Sequence, residues 1–120
     1  MQEPPSRCGF TKERNTNRQE MIARIWHGVT KASHLEEYTA FMKSEAIPDY
    51  EQTACFVKLS FLRRLEGAQA HFTLITYWES LEVIKNFAGE DYELAKYYPQ
   101  DQQYLLEFEE KVLHYEVFAK

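Results

Sequence analysis

The sequence is short of cysteine, of basic residues and of uninterrupted apolar runs, and each shortage removes a class of protein. Cysteine occurs only at Cys8 and Cys55. Two cysteines in no CxxC motif do not make a disulfide framework, and Cys55, in a strand-like stretch, reads as a small buried hydrophobe rather than a reactive thiol. Lysine and arginine number 14 against 19 aspartates and glutamates, a formal charge of −5. That balance, with no basic stripe, excludes the electrostatic footprint of nucleic-acid or anionic-lipid binding. No run of about 18 apolar residues is present to cross a membrane, and the N-terminal stretch has no apolar core for a secretion signal. The expected location is the cytoplasm. No His or Cys pair has metal-site spacing, and "EFEEK" reads as solvated charge.

What is present is apolar and aromatic. With 120 residues, 44% hydrophobic and 15% aromatic, the chain suits one compact domain and is too short for two. A domain of this size leaves roughly a third of its unfolded-chain surface in water, so an enclosed cavity is costly unless a second subunit helps to wall it. Residues 1–20 are polar and carry Pro4 and Pro5, the composition of a flexible leader. The folded domain is expected over residues 21–120.

"MIARIWHGV" predicts a first strand, with Ile22, Arg24 and Trp26 on one face and Met21, Ala23, Ile25, His27 and Val29 on the other. Thr30 and Ser33 are N-cap candidates, and Ser33 with Glu36 spells a capping box. The helix that follows places Leu35, Tyr38, Thr39 and Met42 at helical spacing and is expected to end at Pro48, which lacks an N–H and disfavours helical geometry at Ile47. "TACFVKLSFLRRLEGAQAHFTLITYW" reads as a hairpin turning at Glu66-Gly67, with Phe72, Leu74, Thr76 and Trp78 facing one way and His71, Thr73, Ile75 and Tyr77 the other. Ser80 caps a second helix, "LEVIKNFAG", with Gly89 as its stop or kink before "EDYELAKYY". "DQQYLL" adds a short turn of helix, and "KVLHYEV" is the last strand.

The order is β-α-β-β-α-β, an α+β ferredoxin-like arrangement in which a four-stranded antiparallel sheet carries both helices on one face. Alternate residues on both sides of the strands are apolar or aromatic, so the second face also needs a cover. The same sheet of a partner subunit supplies one.

Three stretches, "MIARIWHGVT", "YWESLEVIKNFAGEDYELAKYYPQD" and "VLHYEV", carry the pattern W-x-S, F-A-G, Y-Y-P and H-Y-E-V across residues 21–119. As a set it resembles the antibiotic biosynthesis monooxygenase type of dimeric α+β barrel domain. The resemblance implies a homodimer with sheets packed face to face and a pocket in each subunit between sheet and helices. Some relatives oxygenate electron-rich aromatics with neither metal nor flavin, some degrade haem, and many have no demonstrated activity, so the fold is implied more firmly than catalysis.

Oxygenation without a cofactor needs a base of suitable pKa, hydrogen bonds to an oxyanion and a dry pocket. His114 and His27 are the candidate bases, each with a second reading as a hydrogen-bonded structural imidazole. His34 reads as a solvated helix-start residue, and His71 as sheet surface or dimer interface. Trp78, Tyr98, Trp26 and Tyr38 are candidates for an aromatic wall against a flat substrate, with core packing as the alternative. Arg24, on an inner strand, needs either a carboxylate partner, sought in "YYPQD", or an anionic ligand. The expected activity is a cofactor-independent monooxygenase acting on a small aromatic or enolic substrate. The alternative is a noncatalytic dimer that binds a small molecule or serves a structural role. Haem degradation fits less well, since the second helix holds no histidine. An RNA-binding domain of the same element order needs a basic, glycine-containing third strand that "AHFTLITYW" does not provide.

Overall fold

The computed structural model describes residues 21–119; the leader expected over 1–20 lies outside the described residues. Strand β1 (Ile22–Lys31) is long, β-branched and aromatic, and lies in the middle of the sheet. A 3₁₀ turn (Ala32–His34) leads into α1 (Leu35–Phe41), a π-helical turn (Met42–Ala46) and α2 (Ile47–Glu51). Strands β2 (Phe56–Glu66) and β3 (Gln69–Trp78) form the expected hairpin. Gly67 takes φ +61 in its turn, a conformation open to glycine without a Cβ penalty. Then come α3 (Leu81–Ala88), an irregular stretch, α4 (Asp101–Tyr104) and the short β4 (Leu113–Glu116).

All strand pairs are antiparallel, in the order β2-β3-β1-β4. Register sets the faces. Trp26 pairs with Leu74, Arg24 with Thr76 and Ile22 with Trp78 on the side covered by the helices. The core lies there, built from Trp26, Tyr38, Phe41, Tyr50, Phe72, Trp78, Ile84 and Phe87 among others. His27, Ile75 and Tyr77 point to the opposite, uncovered side, where Leu62, Leu113 and Tyr115 are 51%, 60% and 48% exposed.

Several local expectations are met and four are corrected. Ser80 caps α3 by accepting from the Val83 N–H at 3.3 Å, and Gly89 stops that helix at φ +88. The segment 89–100 does not continue it, so the second helix is shorter than the sequence suggests. Ser33 does not cap. β1 runs straight into the 3₁₀ turn, so the N-cap positions fall at Lys31 for that turn and His34 for α1, one residue past Ser33, and neither makes a side-chain cap. Pro48 does not end the first helix but sits in the opening turn of α2. The widened π turn before it bonds the Ile47 N–H back to the Met42 carbonyl, and a proline in a first helical turn sacrifices no bond. Cys55, finally, is disulfide-bonded, so it is not simply a small hydrophobe. No helix among the described residues is long and apolar enough to cross a membrane.

Candidate functional site

Between the covered face of the sheet and the helices lies a cavity of about 20 Å³, room for about one water molecule. β1 contributes Arg24 and Trp26, α1 contributes Tyr38, and the segment around α4 contributes Tyr98 and Asp101. Four of the residues singled out in the sequence therefore meet at one place.

Arg24 is 3% exposed. Its guanidinium donates to the Tyr92 carbonyl at 2.5 Å and the Leu94 carbonyl at 3.3 Å. A further Nη1 contact, 3.3 Å, is to Nε2 of His114. Among the described residues no carboxylate lies within ion-pair distance, so the pairing sought in "YYPQD" is replaced by backbone oxygens and an imidazole. Burial lowers the pKa of Arg24, with Tyr50 opposing. An arginine has no acceptor to offer, so Nε2 of His114 is the acceptor and its ring proton sits on Nδ1. Burial first, and the Arg24 charge second, push the His114 pKa down to about 4. The imidazole is thus neutral and already engaged at neutral pH. It reaches the cavity only through Arg24.

The carboxylate of the site is Asp101, 2% exposed. It accepts from the Tyr38 hydroxyl at 2.7 Å and from the Tyr98 N–H at 2.6 Å. Burial raises its pKa, while these two hydrogen bonds hold it back. The Tyr98 hydroxyl donates to Asp49 at 2.6 Å, and Lys96 lies 3.0 Å from the same carboxylate. Burial acts to raise the Asp49 pKa, but the bonds from Tyr98 and Lys96 outweigh it and the net shift is downward. The sequence offers Asp101, within "YYPQD", only as an ion-pair partner for Arg24 and not as the carboxylate of the cavity. The available signal was local: a side chain reaching back to the N–H three residues earlier, as in a capping box, at the "YPQD" entry to α4.

Trp26 is placed by Gly28. A Cβ at Gly28 would fall on the Trp26 ring, so the absence of a side chain lets the indole lie over the strand. Its N–H donates to the Tyr97 hydroxyl at 3.2 Å, which donates in turn to the Glu109 carbonyl at 2.6 Å.

Trp78 does not line the cavity. It is fully buried, donates to Thr76 Oγ1 at 2.9 Å and packs edge-on to Phe56 with ring centroids 5.0 Å apart. Nor does His27, whose strand position puts it on the uncovered face. There its Nε2 lies 3.2 Å from Nδ1 of His71, and its Nδ1 lies 3.2 Å from Glu109. Glu66 is 3.0 Å from Nε2 of His71, an ion-pair contact without hydrogen-bond alignment. His27 and His114 thus belong to opposite faces. Among the described residues, no group of three or more His, Cys, Asp or Glu is placed to hold a metal ion.

No family model and no curated protein matches the chain. Solved structures do. A protein of Bacillus cereus provisionally named an antibiotic biosynthesis monooxygenase superimposes with a TM-score of 0.60 at 18% identity, over 85% of this chain and 97% of that one. One of the same provisional name from Bordetella bronchiseptica gives 0.57 at 19% identity, over 84% and 100%. A protein from Shewanella oneidensis gives 0.62 at 15% identity, over 83% and 93%. The chain therefore has the ferredoxin-like α+β fold of the antibiotic biosynthesis monooxygenase type domain. At these identities the likeness is one of fold.

Proposed function

We propose that this protein is a monooxygenase-like oxidoreductase that works without a cofactor on a small phenolic or enolic substrate in the sheet–helix cavity. The observation that carries the reading is the meeting of Asp101, Tyr38 and Arg24 at one buried place. A carboxylate whose pKa is raised by burial is a better base than one in water. The phenol proton passes to Asp101, and the oxyanion left behind faces Arg24, a pre-placed cation in a dry setting. The electron-rich ring then reduces dioxygen itself. One oxygen atom enters the ring as a new C=O, the other leaves as water, and the four electrons come from the substrate. Trp26, Tyr38 and Tyr98 supply the aromatic wall. His114 acts as a positioning residue through Arg24, and His27, on the other face, takes no part in the chemistry. The uncovered face, with Leu62, Leu113 and Tyr115, is the surface through which two copies pair sheet to sheet.

The size of the cavity favours a second reading, a noncatalytic dimer of the same fold, because about 20 Å³ holds no aromatic ring. Oxygen consumption with a panel of hydroxylated aromatics separates the two. The enzymatic reading expects uptake that falls about 10²- to 10⁴-fold in Asp101→Asn, with a smaller loss in His114→Gln. Absence of uptake across the panel by purified, folded protein leaves the noncatalytic reading.

A further inference from the structure

Resting on that reading of the cavity, we infer that Met42 is a movable partition between the inner cavity and a larger outer groove. The two voids together form one binding site, for a molecule with a flat apolar body and a single acidic hydroxyl.

Beside the cavity of about 20 Å³, a groove of about 240 Å³ opens between the first helix and the hairpin, lined by Thr39, Met42, Ile47, Phe61 and Phe72 among others. Among the described residues, Met42 is the one that lines both. The arrangement follows from helical spacing. Tyr38, Met42 and Ala46 form the stripe over the cavity, and Thr39, Lys43 and Ile47 form the neighbouring stripe over the groove. The sheet repeats this adjacency, since Leu74 floors the cavity and its register partner Phe61 lines the groove. Met42 borders both spaces and stands between them.

That side chain is suited to move. Methionine is unbranched, with three rotatable bonds. Met42 also opens the π-helical turn, a local departure from the α-helical ladder of the kind that gathers at functional sites. Swinging it aside leaves the backbone in place and joins a space large enough for a ring to the space that holds the polar groups.

The lining then selects the ligand. Phe61, Phe72 and Ile47 offer apolar contact in the groove. Two cations edge the groove, Lys43 and Arg63, and Arg63 is already answered by Thr39 at 2.8 Å and Glu36 at 3.3 Å. Inside, Arg24 has five N–H donors and three contacts among the described residues, so donors remain for an oxyanion. Asp101 is positioned to accept the proton. An apolar ring outside and an acidic hydroxyl inside satisfy both ends.

The experiment measures 1-naphthol binding by calorimetry and by stopped-flow fluorescence in wild type, Met42→Ala and Met42→Phe, with naphthalene as the ligand lacking the hydroxyl. A gate slows association, so Met42→Ala should bind naphthol about tenfold faster than wild type, a difference of about 1.4 kcal/mol in the barrier. Met42→Phe, filling the opening, should lose binding. Naphthalene should bind at least about tenfold more weakly than naphthol, a comparison that needs no variant. Equal rates in the three folded proteins, equal affinity for the two ligands, or no binding in any variant overturns the partition. If the binding pattern holds and no oxygen is consumed, the catalytic reading fails and the site stands. If oxygen is consumed and binding ignores Met42, the reverse is true.

Discussion

The two faces of this sheet carry similar residue types and treat them in opposite ways. On the covered face Arg24, Thr76 and Asp101 are all at most 3% exposed, and each charge is answered by a fixed partner: backbone carbonyls, a neutral imidazole or a tyrosine hydroxyl. On the uncovered face His27 and His71 lie in line with Glu109 and Glu66, among half-exposed Leu62, Leu113 and Tyr115. Strand alternation alone assigns each residue to its face, so neighbours such as Trp26 and His27 end in different chemical worlds. Burial shifts the pKa of His114 and Asp101 on the covered face. Solvent on the uncovered side keeps ion pairs weak. Groups able to do unusual proton chemistry therefore collect under the helices, and apolar surface able to meet a partner collects on the other side.

The contrast breaks first at Trp78, fully buried on the covered face. Trp78→Ala should destabilise by about 3–5 kcal/mol, read by urea unfolding, and a loss as small as that of a surface change would mean the covered face is not the core. Next is the pH dependence of His114. Its folded-state pKa, about 4, lies below the free value of 6.5, so the unfolded chain binds the proton more readily. The stability it contributes is whole above about 6.5 and is lost as pH falls toward 4. Urea midpoints at several pH values should show this decline, and His114→Gln should flatten it. Ser80→Ala removes the cap of α3 and should cost about 1 kcal/mol, measured the same way. On the uncovered face Leu113→Glu should change monomer stability by no more than about 0.5 kcal/mol. It should nonetheless halve the solution mass seen by sedimentation, if two copies pair through this face. An unchanged mass would remove that face as the interface.

Much of the fold was readable because strands announce themselves by period two. The alternation in "AHFTLITYW" assigns Phe72, Leu74 and Trp78 to the core side and His71 to the other, as found. Given the β1–β4 pairing, the meeting of Arg24 and His114 also follows, since they are register partners. The site was harder to read. Trp26, Tyr38, Tyr98 and Arg24 stand out as residue types and do converge, whereas "YYPQD" offers Asp101 only as an ion-pair partner for Arg24; its actual bond, to Tyr38, spans 63 positions and no local pattern encodes such a contact. Trp78 and His27 were plausible by type alone and are excluded from the cavity by their places in the sheet.

The sequence by itself determined the element order, the hairpin, the cap at Ser80 and which side chains share a strand face, because these depend on residues a few positions apart. Tertiary structure decided what those faces meet. It carried the first helix through Pro48 by way of a π turn, gave Arg24 carbonyls in place of a carboxylate, set Asp101 beneath Tyr38 and left Met42 standing between two voids. Each of these depends on desolvation and contact between segments far apart in the chain, and local propensity carries no information about either.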